Sequence, residues 1–148
     1  MSEHLIAGAA GGLLAAIVMS FFMMALMRGR PGAPQFLVSK ISKKRPEAHK
    51  VSGMFLHLIY GTAMGLVFTV LFLDAFDRGL AEMSSALQWG ALWGVILWMV
   101  SLIWVQVLGM MKAMEETPGV IKLGIMVGML GVHVIYGLML GATVGFML

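Results

Sequence analysis

The chain has 148 residues, of which 60% are hydrophobic and only 11% charged, with a formal net charge of +3. A soluble domain carries roughly 25% charged residues, and a small one needs polar cover because its surface is large for its volume. This composition therefore excludes a water-soluble globule and a disordered chain. The absence of cysteine excludes a disulfide framework, cysteine zinc sites and thiolate-held iron–sulfur clusters. What is left is an integral membrane protein.

A membrane-spanning helix needs about 20 predominantly apolar residues. Four segments satisfy this in chain order, at about 5–27, 52–73, 86–110 and 123–148. None alternates with the period of a strand, and backbone groups in lipid must be satisfied internally, so the segments are expected to be helices. The predicted fold is all-α: one transmembrane domain over 1–148, a four-helix bundle. The start, Met1-Ser2-Glu3-His4, lacks the basic residues of a cleavable signal, so the first span is expected to be retained.

A basic loop at 28–50 follows the first span, with Arg28, Arg30, Lys40, Lys43, Lys44, Arg45 and Lys50. Lys112 and Lys122 lie between the third and fourth spans, beside Glu115 and Glu116. Glu3, Asp74, Asp77, Arg78 and Glu82 fall on the opposite side, so nine of the ten basic residues share one side. The positive-inside rule makes that side cytoplasmic and puts both termini outside. Phe36, Leu37, Val38 and Ile41 among the lysines predict a short interfacial helix before Pro46. Lys40, Lys43, Lys44 and Arg45 are candidates for anionic lipid head groups. No nucleic-acid module surrounds this charge, so nucleic acid is not an expected partner.

The second and fourth spans repeat a motif. His57-Leu-Ile-Tyr60-Gly61-Thr-Ala-Met-Gly65 matches His133-Val-Ile-Tyr136-Gly137-Leu-Met-Leu-Gly141 at five of nine positions, offset by 76. More weakly, Gly8-Ala9-x-x-Gly12 aligns with Gly90-Ala91-x-x-Gly94. The chain therefore reads as two repeated helix hairpins, about 1–76 and 83–148, related by an axis along the membrane normal. Each span carries a Gly-x-x-x-Gly pair: Gly8/Gly12, Gly61/Gly65, Gly90/Gly94 and Gly137/Gly141. Lipid tails are as apolar as leucine, so close approach at small residues is what packs helices. Tight contacts are expected between spans one and two and between three and four. All four tryptophans lie in the third span, and Trp89, Trp93 and Trp104 form one stripe, expected to face lipid or a partner.

The paired H-x-x-Y-G-x-x-x-G helices, with the basic, proline-containing loop from Pro34-Gln35-Phe36-Leu37-Val38 onward, resemble uncharacterised small four-pass membrane proteins of bacteria and archaea. The resemblance covers most of the chain and implies a four-helix bundle. It carries no activity with it.

Ionisable groups within a span are costly and point to function. His57 and His133 are the candidates, with Tyr60 and Tyr136 one helical turn away on the same faces. Two histidines from two helices can serve as axial ligands of haem b or contact a quinone. Equally, each neutral imidazole can serve structure alone, bonded to a carbonyl or hydroxyl. The methionines at 19, 23 and 27 and at 110, 111 and 114 offer soft thioethers for copper, or flexible packing. No span contains Asp, Glu, Lys or Arg, and no catalytic spacing is present, which argues against a free-standing enzyme. The expected function is a non-catalytic accessory or scaffolding subunit of a larger membrane complex, alongside lipids and other subunits or further copies of itself. The alternatives are an electron-transfer subunit using His57 and His133, and a small-solute or metal transporter.

Overall fold

A computed structural model describes residues 2–27, 30–75, 79–108 and 118–148, and the side chains of Ser2, Met27 and residues 73–75 are outside that description. The described residues are all-helical. Helix α1 is Ser2–Met27, α2 is Ala33–Ser42 and α3 is Lys50–Thr69, followed by α4 at Met83–Val107 and α5 at Gly119–Met147. A 3-10 turn, Pro46–His49, leads into α3, and a π-helical turn, Val70–Ala75, prolongs it. Four helical segments, containing α1, α3, α4 and α5, are long and apolar enough to cross a membrane. Of the residues discussed above, Arg28, Asp77, Arg78, Met110, Met111, Lys112, Met114, Glu115 and Glu116 lie outside the described residues.

The helices begin earlier than the apolar runs. Helix α1 includes Glu3 and His4, α4 opens at Met83-Ser84-Ser85, and α5 includes Lys122. The bilayer sets the length of the apolar stretch, whereas helical hydrogen bonding continues into polar flanks until a breaker ends it. Pro118 precedes α5 in this way, as its ring fits a helix start. Helix α2 is held at its start by Gln35, whose Oε1 accepts from the Gly32 backbone N–H at 2.9 Å. It closes at Lys43, which adopts the left-handed conformation at φ 58°.

Helix α1 packs on α3 and on α5, and α4 packs on α5. Glycine permits each approach. A Cβ at Gly8 or Gly12 would meet backbone atoms of Gly65 or Gly61, and one at Gly65 would meet Gly8 and Gly12. On the other side, Gly90 and Gly137 stand backbone to backbone, Gly94 lies against the His133 carbonyl, and Gly141 against that of Ala86. Gly11 brings α1 against Leu140 and Thr143 of α5.

Helices α3 and α4 meet differently. Among the described residues they touch through bulky side chains: Phe68 of α3 and Phe72 of the π-helical turn that prolongs it pack on Trp93 with ring centroids 6.3 and 6.0 Å apart, and Phe72 on Trp89 at 5.3 Å. This corrects the expectation for the tryptophan stripe. Trp93 is 6% exposed and belongs to the core, and Trp89 is half-buried against it. Trp104 alone of the three is exposed. The cause is that α4 uses two adjacent faces inward, the glycines toward α5 and the indoles toward α3.

Helix α2 closes one end of the bundle. Ala33, Phe36 and Leu37 pack against Val105, Leu108 and Met129. Lys40, Lys43, Lys44 and Arg45 are exposed around its far end.

Candidate functional site

Beside these aromatic contacts, residues of α3 and α4 border a space that α2 also borders. There the bundle contains a partly open cavity of about 190 Å³. Its walls are Met19 and Met23 of α1, His57, Tyr60 and Gly61 of α3, Leu97, Ser101 and Trp104 of α4, and Met129, His133 and Tyr136 of α5. Helix α2 roofs it with Ala33, Pro34 and Leu37. The four residues singled out as candidate cofactor contacts thus line one space. An apolar enclosure with a few convergent polar groups is the usual form of a ligand site.

The polar groups have defined roles. The Ser20 hydroxyl lies 2.8 Å from the Ala16 carbonyl and 3.0 Å from His57 Nδ1, and with its one hydrogen given to the carbonyl it accepts from the ring. In that arrangement His57 carries its hydrogen on Nδ1. His133 Nδ1 lies 2.7 Å from the Met129 carbonyl, which only accepts, so His133 carries its hydrogen there too. In both neutral rings Nε2 is left as a bare acceptor.

Tyr136 is 2% exposed and donates to the Gly61 carbonyl at 2.6 Å. A Cβ at Gly61 would run into the Ala16 side chain of α1, while the Tyr136 ring stands at ordinary contact distance, 3.5 Å. Ser101 donates to the Trp98 carbonyl at 2.7 Å. Tyr60, by contrast, is 39% exposed and stands with Trp104, 43% exposed, at the rim.

A second, more polar cavity of about 420 Å³ adjoins the first. Arg30, Gln35, Glu47 and Lys50 line it, and it shares His57, Met23, Gly32 and Pro34 with its neighbour. His57, with Met23, Gly32 and Pro34, therefore stands between an apolar and a polar space.

Sequence reasoning did not find Ser20, Ser101 or α2 as parts of the site. Ser20 and Ser101 had a signal, being hydroxyls within apolar spans. The roofing role of α2 had none, because its partners lie far along the chain. Met19 and Met23 line the cavity, while Met27 and the methionines at 110, 111 and 114 fall outside the described side chains. Comparison with protein-family models, with curated proteins and with solved structures finds no match to this chain.

Proposed function

We propose that the protein is an accessory subunit of a larger membrane complex that holds a lipid-soluble, single-ring ligand of the quinone class between His57 and His133. The observation that carries this reading is the convergence of His57, His133, Tyr60 and Tyr136 on one apolar cavity. Size supports a single ring: an apolar cavity of about 150 Å³ accommodates benzene, and this one is about 190 Å³. The charge pattern supports α2 on the cytoplasmic side and both termini outside, and the resemblance of the paired motif helices implies a bacterial or archaeal cytoplasmic membrane. In that orientation the exposed lysines of α2 lie at the level of anionic head groups.

A photoreactive benzoquinone with a short alkyl tail, applied to membranes containing the protein, tests the reading. Labelling is expected on peptides bearing Met19–Met23 or Met129–Tyr136. Competition by the unlabelled quinone or by its diphenol should remove it. Labelling confined to outward faces such as Phe21 or Ile103 would defeat the reading.

A second reading keeps the same histidines. Imidazoles with Nδ1–H tied down and Nε2 bare are arranged as haem axial ligands are, with the far nitrogen fixed by an outer partner. Haem b requires a space several times that of one ring, so α2 would have to move. A Soret band in protein purified after growth with haem precursor decides for this reading, and its absence decides against it.

A further inference from the structure

The hydrogen-bonding roles inside the cavity restrict what kind of ring fits. His57 Nε2 and His133 Nε2 have no hydrogen-bond partner among the described residues, and both histidines line the cavity. Both are acceptors. The hydroxyls of Tyr136 and Ser101 have committed their hydrogens to the carbonyls of Gly61 and Trp98, so what they offer inward is lone pairs. The side-chain donors in the lining are the Tyr60 hydroxyl and the Trp104 indole, both on exposed residues at the rim. The interior is thus a set of acceptors waiting for donors.

A quinone offers only carbonyl oxygens. Against two bare imidazole nitrogens it would set acceptor against acceptor, leaving both sides unsatisfied in a medium without water. Its reduced form, a diphenol, has two O–H donors on opposite edges of a flat ring. Resting on the proposed quinone-class reading, we infer that this cavity selects the hydroxyl-bearing diphenol over the oxidised quinone, with His57 Nε2 and His133 Nε2 as the acceptors. Met19, Met23 and Leu97 supply the apolar cover for the ring, and the rim at Tyr60 and Trp104 passes the tail to lipid.

The test uses the full chain in lipid nanodiscs and three probes of equal tail length: an alkylhydroquinone kept under anaerobic conditions, its dimethyl ether, and the alkylbenzoquinone. The ether has the ring, the tail and the oxygens but no donor hydrogen. Titration calorimetry is expected to show the diphenol binding at least about tenfold more tightly than either other probe, the factor for one satisfied hydrogen bond to a buried acceptor. His133→Leu is expected to weaken the diphenol by one of its two hydrogen bonds, His133→Leu with His57→Leu to bring it down to the ether's affinity, and neither variant to change the ether. Retained ether binding shows that each variant is folded. Equal affinity for diphenol and ether, or preference for the quinone, overturns the selectivity while leaving the ring-binding reading in place. Failure of all three probes to bind overturns both.

Discussion

The hydroxyl of Tyr136 on α5 donates to the backbone carbonyl of Gly61 on α3 at 2.6 Å, tying the two motif-bearing helices across the centre of the bundle. Tyr60, which holds the matching place in the repeated sequence, has no such bond among the described residues. The carbonyl of Gly137 is covered by Gly90 of α4, so the equivalent acceptor is closed to it. Duplicate motifs therefore do unlike work: one tyrosine fastens the core, and the other stands at the cavity rim.

Tyr136→Phe and Tyr60→Phe should separate these roles. Hydrogen bonds between membrane helices average about 0.6 kcal/mol and reach about 1.7. Tyr136→Phe is expected toward the upper end because the bond is short and buried. Tyr60→Phe is expected to be near neutral. Reversible unfolding in mixed micelles measures both, and equal losses would contradict the assignment.

The glycines make a second comparison. A methyl at Gly137 would run into the backbone of Gly90, whereas a methyl at Gly131 meets nothing within 4 Å. Gly137→Ala is expected to cost about 1–3 kcal/mol, the range for overpacking a tight contact. Gly131→Ala should be neutral or stabilising by up to about 1 kcal/mol through helix propensity. Opposite signs in the same unfolding assay are the expected result.

How much of this could be read from the sequence follows from what lipid does to patterning. Span number and helical character were legible, because hydrocarbon demands length and apolarity from every crossing segment. Which face turns inward was less so. In water the apolar face goes in, but in a membrane both faces are apolar, so the Trp89–Trp93 stripe carried no label saying that Phe68 and Phe72 would meet it. The histidines and tyrosines stood out as the polar cost within their spans. Their tautomers depended on Ser20 and the Met129 carbonyl, and those partners emerge only once the backbone is placed.

The aromatic wedge predicts a stability contrast along α4. Trp93 is buried among Phe68, Phe72 and its own helix, so Trp93→Ala should cost about 3–5 kcal/mol, as large core truncations do. Trp104 is exposed at the rim, and Trp104→Ala is expected to leave the unfolding midpoint nearly unchanged. A ring-bearing ligand that passes this rim should nevertheless bind Trp104→Ala with altered rates. Comparable losses of stability from the two substitutions would place Trp104 in the core and count against the open rim.

The tautomers are open to direct measurement. Solid-state or solution NMR of protein labelled with 15N in histidine distinguishes a protonated ring nitrogen from a bare one. His57 and His133 are both expected to show hydrogen on Nδ1 and a bare Nε2 in the ligand-free protein, because Ser20 and the Met129 carbonyl accept from Nδ1. Ser20→Ala removes the partner that His57 Nδ1 has among the described residues, so the His57 signals should become a mixture of tautomers while those of His133 stay fixed. Diphenol affinity should fall with that variant, by the fraction of His57 that no longer presents its Nε2 lone pair. Finding Nε2–H on both rings in the unsubstituted protein would turn the interior from acceptor to donor, and the preference would then run toward the quinone.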